Sequence, residues 1–82
     1  MKEKLLQIIN HFGREAQRDK LCEEFRELQD EAELLTEIAD VFVLCLQFFY
    51  DYGYDEDDLI QEMNNKIDRT IKRIKEGYYE KK

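Results

Sequence analysis

Apolar residues fall along this chain in helical rather than alternating order. Leu5, Leu6, Ile8, Ile9 and Phe12 mark one face of a short first helix that Gly13 can end, because glycine accepts the left-handed conformation of a helix terminus. Leu21, Phe25, Leu28, Ala32 and Leu35 then recur at steps of 4, 3, 4 and 3, an amphipathic stripe running over residues 15–35. Asp30 and Glu33 have capping-box spacing inside that stripe, which predicts a second helix ending near Gln29 and a third beginning near Glu31. Periodicity alone also permits one continuous helix to Tyr50. From Val41 to Tyr50 only Gln47 interrupts the apolar run, and a helix apolar on every side must be covered on more than one side. A fourth helix starts at an Asp55 or Asp57 cap after the turn at Gly53, carries Ile60, Met63, Ile67, Ile71 and Ile74 as its core stripe, and closes at Gly77. Lys81 and Lys82 belong to a frayed tail from about residue 78.

The expected fold is all-α, a single domain over residues 1–82 with a bundle of about four helices. Absence of proline and serine, three glycines and 40% charged residues agree with helices on short connections and exclude an all-β fold. A core of this size supplies only about 3 to 5 kcal/mol unaided. Three short helices cannot enclose the run from Val41 to Tyr50, so a second subunit is the expected cover, in a homodimer or homotetramer.

Charge narrows the function. Twenty acids against 13 bases give a net charge of −7, the wrong sign for a general DNA or RNA binder. Val41 to Tyr50 is about half the ~20 residues needed to cross a bilayer, and the N-terminus lacks a signal-peptide pattern, so no membrane is expected. One histidine and two cysteines 23 positions apart offer no zinc spacing and no disulfide framework, which makes a reducing cytoplasm the simpler setting.

Some of the acids are placed for chemistry. Glu24/Glu27 and Glu37/Asp40 are i, i+3 pairs, each with two carboxylates toward one side of a helix. In an antiparallel hairpin turning near residue 31 or 32, residue 24 faces 40 and 27 faces 37. Four converging carboxylates repel one another unless a cation lies between them, and hard oxygen donors of this type suit Mg²⁺ or Mn²⁺. Asp40 stands one turn before Leu44 and so aligns with the buried face, while Glu24 lies at the edge of the stripe between Leu21 and Leu28. On the fourth helix Lys66, Arg69 and Arg73 form a basic stripe suited to phosphates, as well as to the helix dipole. A calcium loop over residues 51–62 is excluded by Glu56 at the position that demands glycine, and no histidine follows a glutamate by three, as a di-iron bundle requires.

LCEEFREL (Leu21 to Leu28) followed by EIADVF (Glu37 to Phe42) resembles the EExxE and ExxD motifs of the MazG-like all-α nucleoside triphosphate pyrophosphohydrolases. The order of helices is similar too, so the resemblance spans most of the chain. It implies Mg²⁺-dependent hydrolysis of an NTP or dNTP to the monophosphate and pyrophosphate, with Glu24, Glu27, Glu37 and Asp40 as metal ligands. Beside Glu24, Glu23 would activate water or support the ligands, Lys66, Arg69 and Arg73 would hold phosphates, and His11, Phe12 and Gln17 are positioned for base recognition. Two features depart from the family pattern: nine residues separate Glu27 from Glu37, a short gap, and Thr70 stands where many members have Asn. The alternative class is a non-catalytic, all-helical dimeric module that binds a protein partner through its acidic face.

Overall fold

The computed structural model describes residues 1–28 and 31–77. Among them are four α-helices and no strand: α1 (Lys2–Phe12), α2 (Arg14–Glu27), α3 (Leu34–Asp51) and α4 (Glu56–Lys75). A 3-10 turn at Glu31–Glu33 leads into α3. Gly13 alone joins α1 to α2, at φ 89°, a conformation that side chains disfavour, and its N–H still donates to Ile9 O at 2.8 Å. The start of α4 is capped by Asp55, whose carboxylate accepts from Asp57 N at 2.9 Å. Gly77 follows the last turn at φ 71° and donates to Ile74 O, as expected from the sequence.

The break between the second and third helices lies wider than the capping-box spacing implies. α2 ends at Glu27 and α3 begins at Leu34, with Glu33 in the N-cap position making no side-chain cap. Asp30 and Gln29 fall outside the described residues, as does the tail from residue 78.

α2 and α3 run antiparallel. Gln17 Nε2 donates to Gln47 Oε1 at 2.7 Å, and Arg14 Nε donates to Asp51 Oδ2 at 2.5 Å, so the residue numbers of facing pairs add to 64 or 65. The same register was required to oppose the two acid pairs. Gln47, the lone polar residue of the apolar run, is 2% exposed, and its partner Gln17 is 7% exposed. Burying two amides is tolerated because each satisfies the other. At the open end of the hairpin the Arg14 guanidinium also lies 4.2 Å from the Tyr52 ring centre, and Arg18 Nη2 donates to the Tyr52 hydroxyl at 3.1 Å.

The core is small. Leu5 and Ile9 from α1 are buried in it with Val41 and Leu44 from α3. The stripe on α4 is not part of it: Ile60, Met63, Ile67, Ile71 and Ile74 are each between 45% and 59% exposed. No Cα of α4 comes within 8 Å of one in α1, α2 or α3 among the described residues, so the expected core stripe faces solvent within a single chain. Its first turn is tied to α3, where the Tyr50 hydroxyl donates to Glu56 Oε1 at 2.7 Å.

The projecting helix shows in the dimensions. The radius of gyration is 16.0 Å, against about 12 Å for a compact domain of this length. On α3, Phe42 and Val43 are exposed as well, so the helix is covered on one side only. No helix among the described residues is long and apolar enough to cross a membrane.

Candidate metal-binding site

The acidic residues meet at the closed end of the hairpin, where the last turn of α2 faces the first turn of α3. Glu24, Glu27 and Glu37 each bring one carboxylate oxygen to within 4.8 Å of the others. The packing of α2 against α3 sets this placement. Glu24 follows Gln17 by two helical turns on the side of α2 that packs against α3, and Glu37 precedes Val41 by one turn on the inward side of α3. Glu24 is buried at 6% exposure, Glu37 is half-buried, and Glu27 stands at the rim.

Their hydrogen bonding is incomplete. Lys20 Nζ lies 3.1 Å from Glu24 Oε1, but the buried Oε2 atoms of Glu24 and Glu37 have no partner among the described residues. Buried carboxylate oxygens normally find donors, since leaving them without one is costly. A donor or a cation placed there would satisfy both oxygens.

The protonation pattern agrees with crowding. Hydrogen bonding from Lys20 holds the Glu24 carboxyl below the usual range. Glu27 is raised, first by its hydrogen bond with Glu24 and then by the Glu24 charge. Glu37 is pushed up to about 7, first by burial and then by the charge of Glu27, with Glu24 and Asp40 adding to it. The cluster thus retains a proton near neutrality in the absence of a cation, and a bound cation would displace it.

A stability prediction follows from that proton. The native state binds more protons than the unfolded chain between the ordinary value of 4.5 and about 7, so the metal-free protein loses stability as pH rises through this window. The lowered carboxyl of Glu24 acts below the window, where stability falls as pH falls. Thermal melts in EDTA should therefore drop from pH 5.5 to pH 8. Millimolar Mg²⁺ or Mn²⁺ should recover the loss mainly at the higher pH. A melting temperature flat over the same range, with and without the ion, would remove the cluster's proton from the picture.

Other expected site residues are dispersed. Asp40 is exposed, against its expected alignment with the buried face, and lies outside the converging oxygens, though its charge acts on Glu37. Glu23, next to Glu24, is exposed. Lys66, Arg69 and Arg73 sit on the projecting α4, which does not approach α2 or α3 in the single chain. His11 and Phe12 are exposed at the end of α1, their rings edge to face at 4.7 Å. Gln17 is committed to Gln47 in the core. All three are nearer the open end of the hairpin, since Gly13 and Glu24 are 11 residues apart, roughly 16 Å of helix.

Lys20 escaped the sequence reading. Its signal was present in the i, i+4 spacing to Glu24, which puts an amine beside the most buried acid of the cluster.

Comparison with protein-family models, with curated proteins and with solved structures returns no significant match for this chain.

Proposed function

We propose that the chain is a nucleotide pyrophosphohydrolase that converts an NTP or dNTP to the monophosphate and pyrophosphate with Mg²⁺, or Mn²⁺ in its place. The observation carrying this reading is the convergence of Glu24, Glu27 and Glu37 with two buried oxygens left without donors among the described residues. The motif resemblance to MazG-like enzymes supplies the reaction. A divalent cation bound there would supply Lewis-acid polarisation of phosphate oxygens and a template for substrate and water.

The chain's own part is to hold the ligand oxygens ready. Lys20 keeps Glu24 ionised, and Glu37 gives up its proton on binding. Asp40 stands at the flank, one step from Glu37 on α3, where it can complete the set. Exposed Glu23 is the candidate to accept a proton from attacking water. His11 and Phe12 are the candidates for base contacts from the α1 end, and Lys66, Arg69 and Arg73 those for phosphates. Association into a homodimer or homotetramer belongs to the same reading, because α3 and α4 each leave an apolar side uncovered. The exposed free thiols of Cys22 and Cys45 fit a reducing cytoplasm.

The test is pyrophosphate release over standard and modified NTPs and dNTPs with Mg²⁺, then Mn²⁺. Turnover of at least one substrate that disappears in EDTA is expected. No turnover with any of them under either ion would overturn the proposal.

The uncovered α4 stripe favours a second reading, a non-catalytic helical interaction module. The melting temperature separates the two: an enzyme is stabilised by Mg²⁺ with a nonhydrolysable triphosphate, and a pure adaptor is not.

A further inference from the structure

We infer that α4 is a self-association surface whose occupant is α4 of a second copy, packed antiparallel about a two-fold axis that passes beside Ile67. Three independent features of the helix point to the same partner.

The first is the spacing of its apolar residues. Ile60, Met63, Ile67, Ile71 and Ile74 follow one another at steps of 3, 4, 4 and 3, which reads the same in both directions. A two-fold axis at Ile67 sets Ile60 against Ile74 of the partner subunit and Met63 against Ile71 of the partner subunit. An isologous contact requires this self-complementarity, whereas a foreign protein does not.

The second is charge. Residues 56–65 carry four acids, Glu56, Asp57, Asp58 and Glu62, and no base. Residues 66–75 carry five bases, Lys66, Arg69, Lys72, Arg73 and Lys75, against the single acid Asp68. The halves of α4 therefore bear net charges of −4 and +4. Antiparallel pairing opposes unlike halves along the whole helix and also opposes the two helix dipoles, while parallel pairing stacks like on like. In the two-fold register Glu62 meets the partner's Lys72 and Lys66 meets the partner's Asp68. Lys66 makes no ion pair among the described residues of its own chain.

The third is surface area. The chain exposes 7041 Å², whereas a compact monomer of 10.0 kDa exposes about 5,200 Å². The excess of roughly 1,800 Å² is more than the ~800 Å² per partner that a stable complex covers. Part of it is the stripe on the 20-residue α4, where Ile60, Met63, Ile67, Ile71 and Ile74 are each 45% to 59% exposed. Most helical stability in proteins comes from packing of an apolar face, so a partner for α4 would also stabilise the helix itself.

The experiment uses cysteine cross-linking with sedimentation, in the full chain with Cys22→Ser and Cys45→Ser to remove the two free thiols. The unmodified chain should sediment at twice its 10.0 kDa mass. Ile67→Cys should oxidise to a covalent dimer, because the two-fold brings residue 67 against itself. Ile60→Cys alone should not, since antiparallel pairing holds the two copies of residue 60 about 21 Å apart along the axis, far beyond the ~7 Å limit for a disulfide. Mixed with Ile74→Cys it should cross-link. Ile67→Asp should sediment as a monomer and keep the hairpin helices, because residue 67 lies well beyond the Tyr50–Glu56 hydrogen bond that ties the first turn of α4 to α3. A monomeric unmodified chain, efficient self-linking of Ile60→Cys, or a dimer that survives Ile67→Asp would each overturn the inference. None of these readouts depends on catalysis, so they stand or fall apart from the proposed hydrolysis.

Discussion

Replacing both Glu24 and Glu37 by Gln should cut Mg²⁺-dependent pyrophosphate release about a hundredfold or more while leaving the protein as helical as before, and Glu37→Gln alone should make it, above pH 7 without metal, more resistant to heat. The loss would follow from removing the charge of two of the three converging carboxylates, the two whose buried oxygens lack donors among the described residues. The gain in stability follows from the same geometry. With no cation present, the unmodified protein must hold Glu37 ionised against burial and against Glu27, and an amide of nearly the same shape removes that cost. A residue retained for packing would behave in the opposite way, since its replacement would lower the melting temperature. Pyrophosphate assays and circular dichroism melts in EDTA on the same preparations decide the matter. Undiminished turnover would sink the metal site, and a lower melting temperature would show that the acids stabilise the hairpin.

The second large effect is structural. Ile9→Ala should leave much of the protein unfolded at room temperature. Ile9 is 2% exposed, and truncating a buried Ile costs about 2–5 kcal/mol. The whole core of a chain this small contributes only about 3 to 5 kcal/mol. Urea titration followed at the helical band should show a transition displaced close to zero denaturant, or no cooperative transition. A midpoint near that of the unmodified chain would mean that α1 is dispensable to the core, contrary to its packing on α3.

How far these features were legible in advance varies with the signal. Gly13, Asp55 and Gly77 marked helix ends by chemistry that acts locally, and the structure has an end at each. The hairpin register was legible because opposing the two acid pairs fixes it, and Gln17 with Gln47 obeys it. The break between α2 and α3 was placed too narrowly, because the apolar stripe continues through it without a change of period. Asp40 shows the limit of an i, i+3 argument. Three residues advance a helix by about 300°, so Asp40 is turned some 60° from Glu37 and away from the face that continues through Val41 and Leu44. For α4 the periodicity revealed an apolar side but not what lies against it. A stripe is the same whether its cover is the same chain or another.

The paired amides of Gln17 and Gln47 bear on how the acidic residues come to meet at all. Leucines and isoleucines tolerate sliding, since one apolar contact replaces another at similar free energy. Two buried amides do not: a slip of one turn along the hairpin would leave both without partners, at about 1–3 kcal/mol for each group. They act as a pin through the hairpin, fixing both its axial position and its rotation. Two helical turns further along, that alignment brings Glu24 and Glu27 opposite Glu37. The spacing of the carboxylates is thus set by an uncharged pair that never touches them.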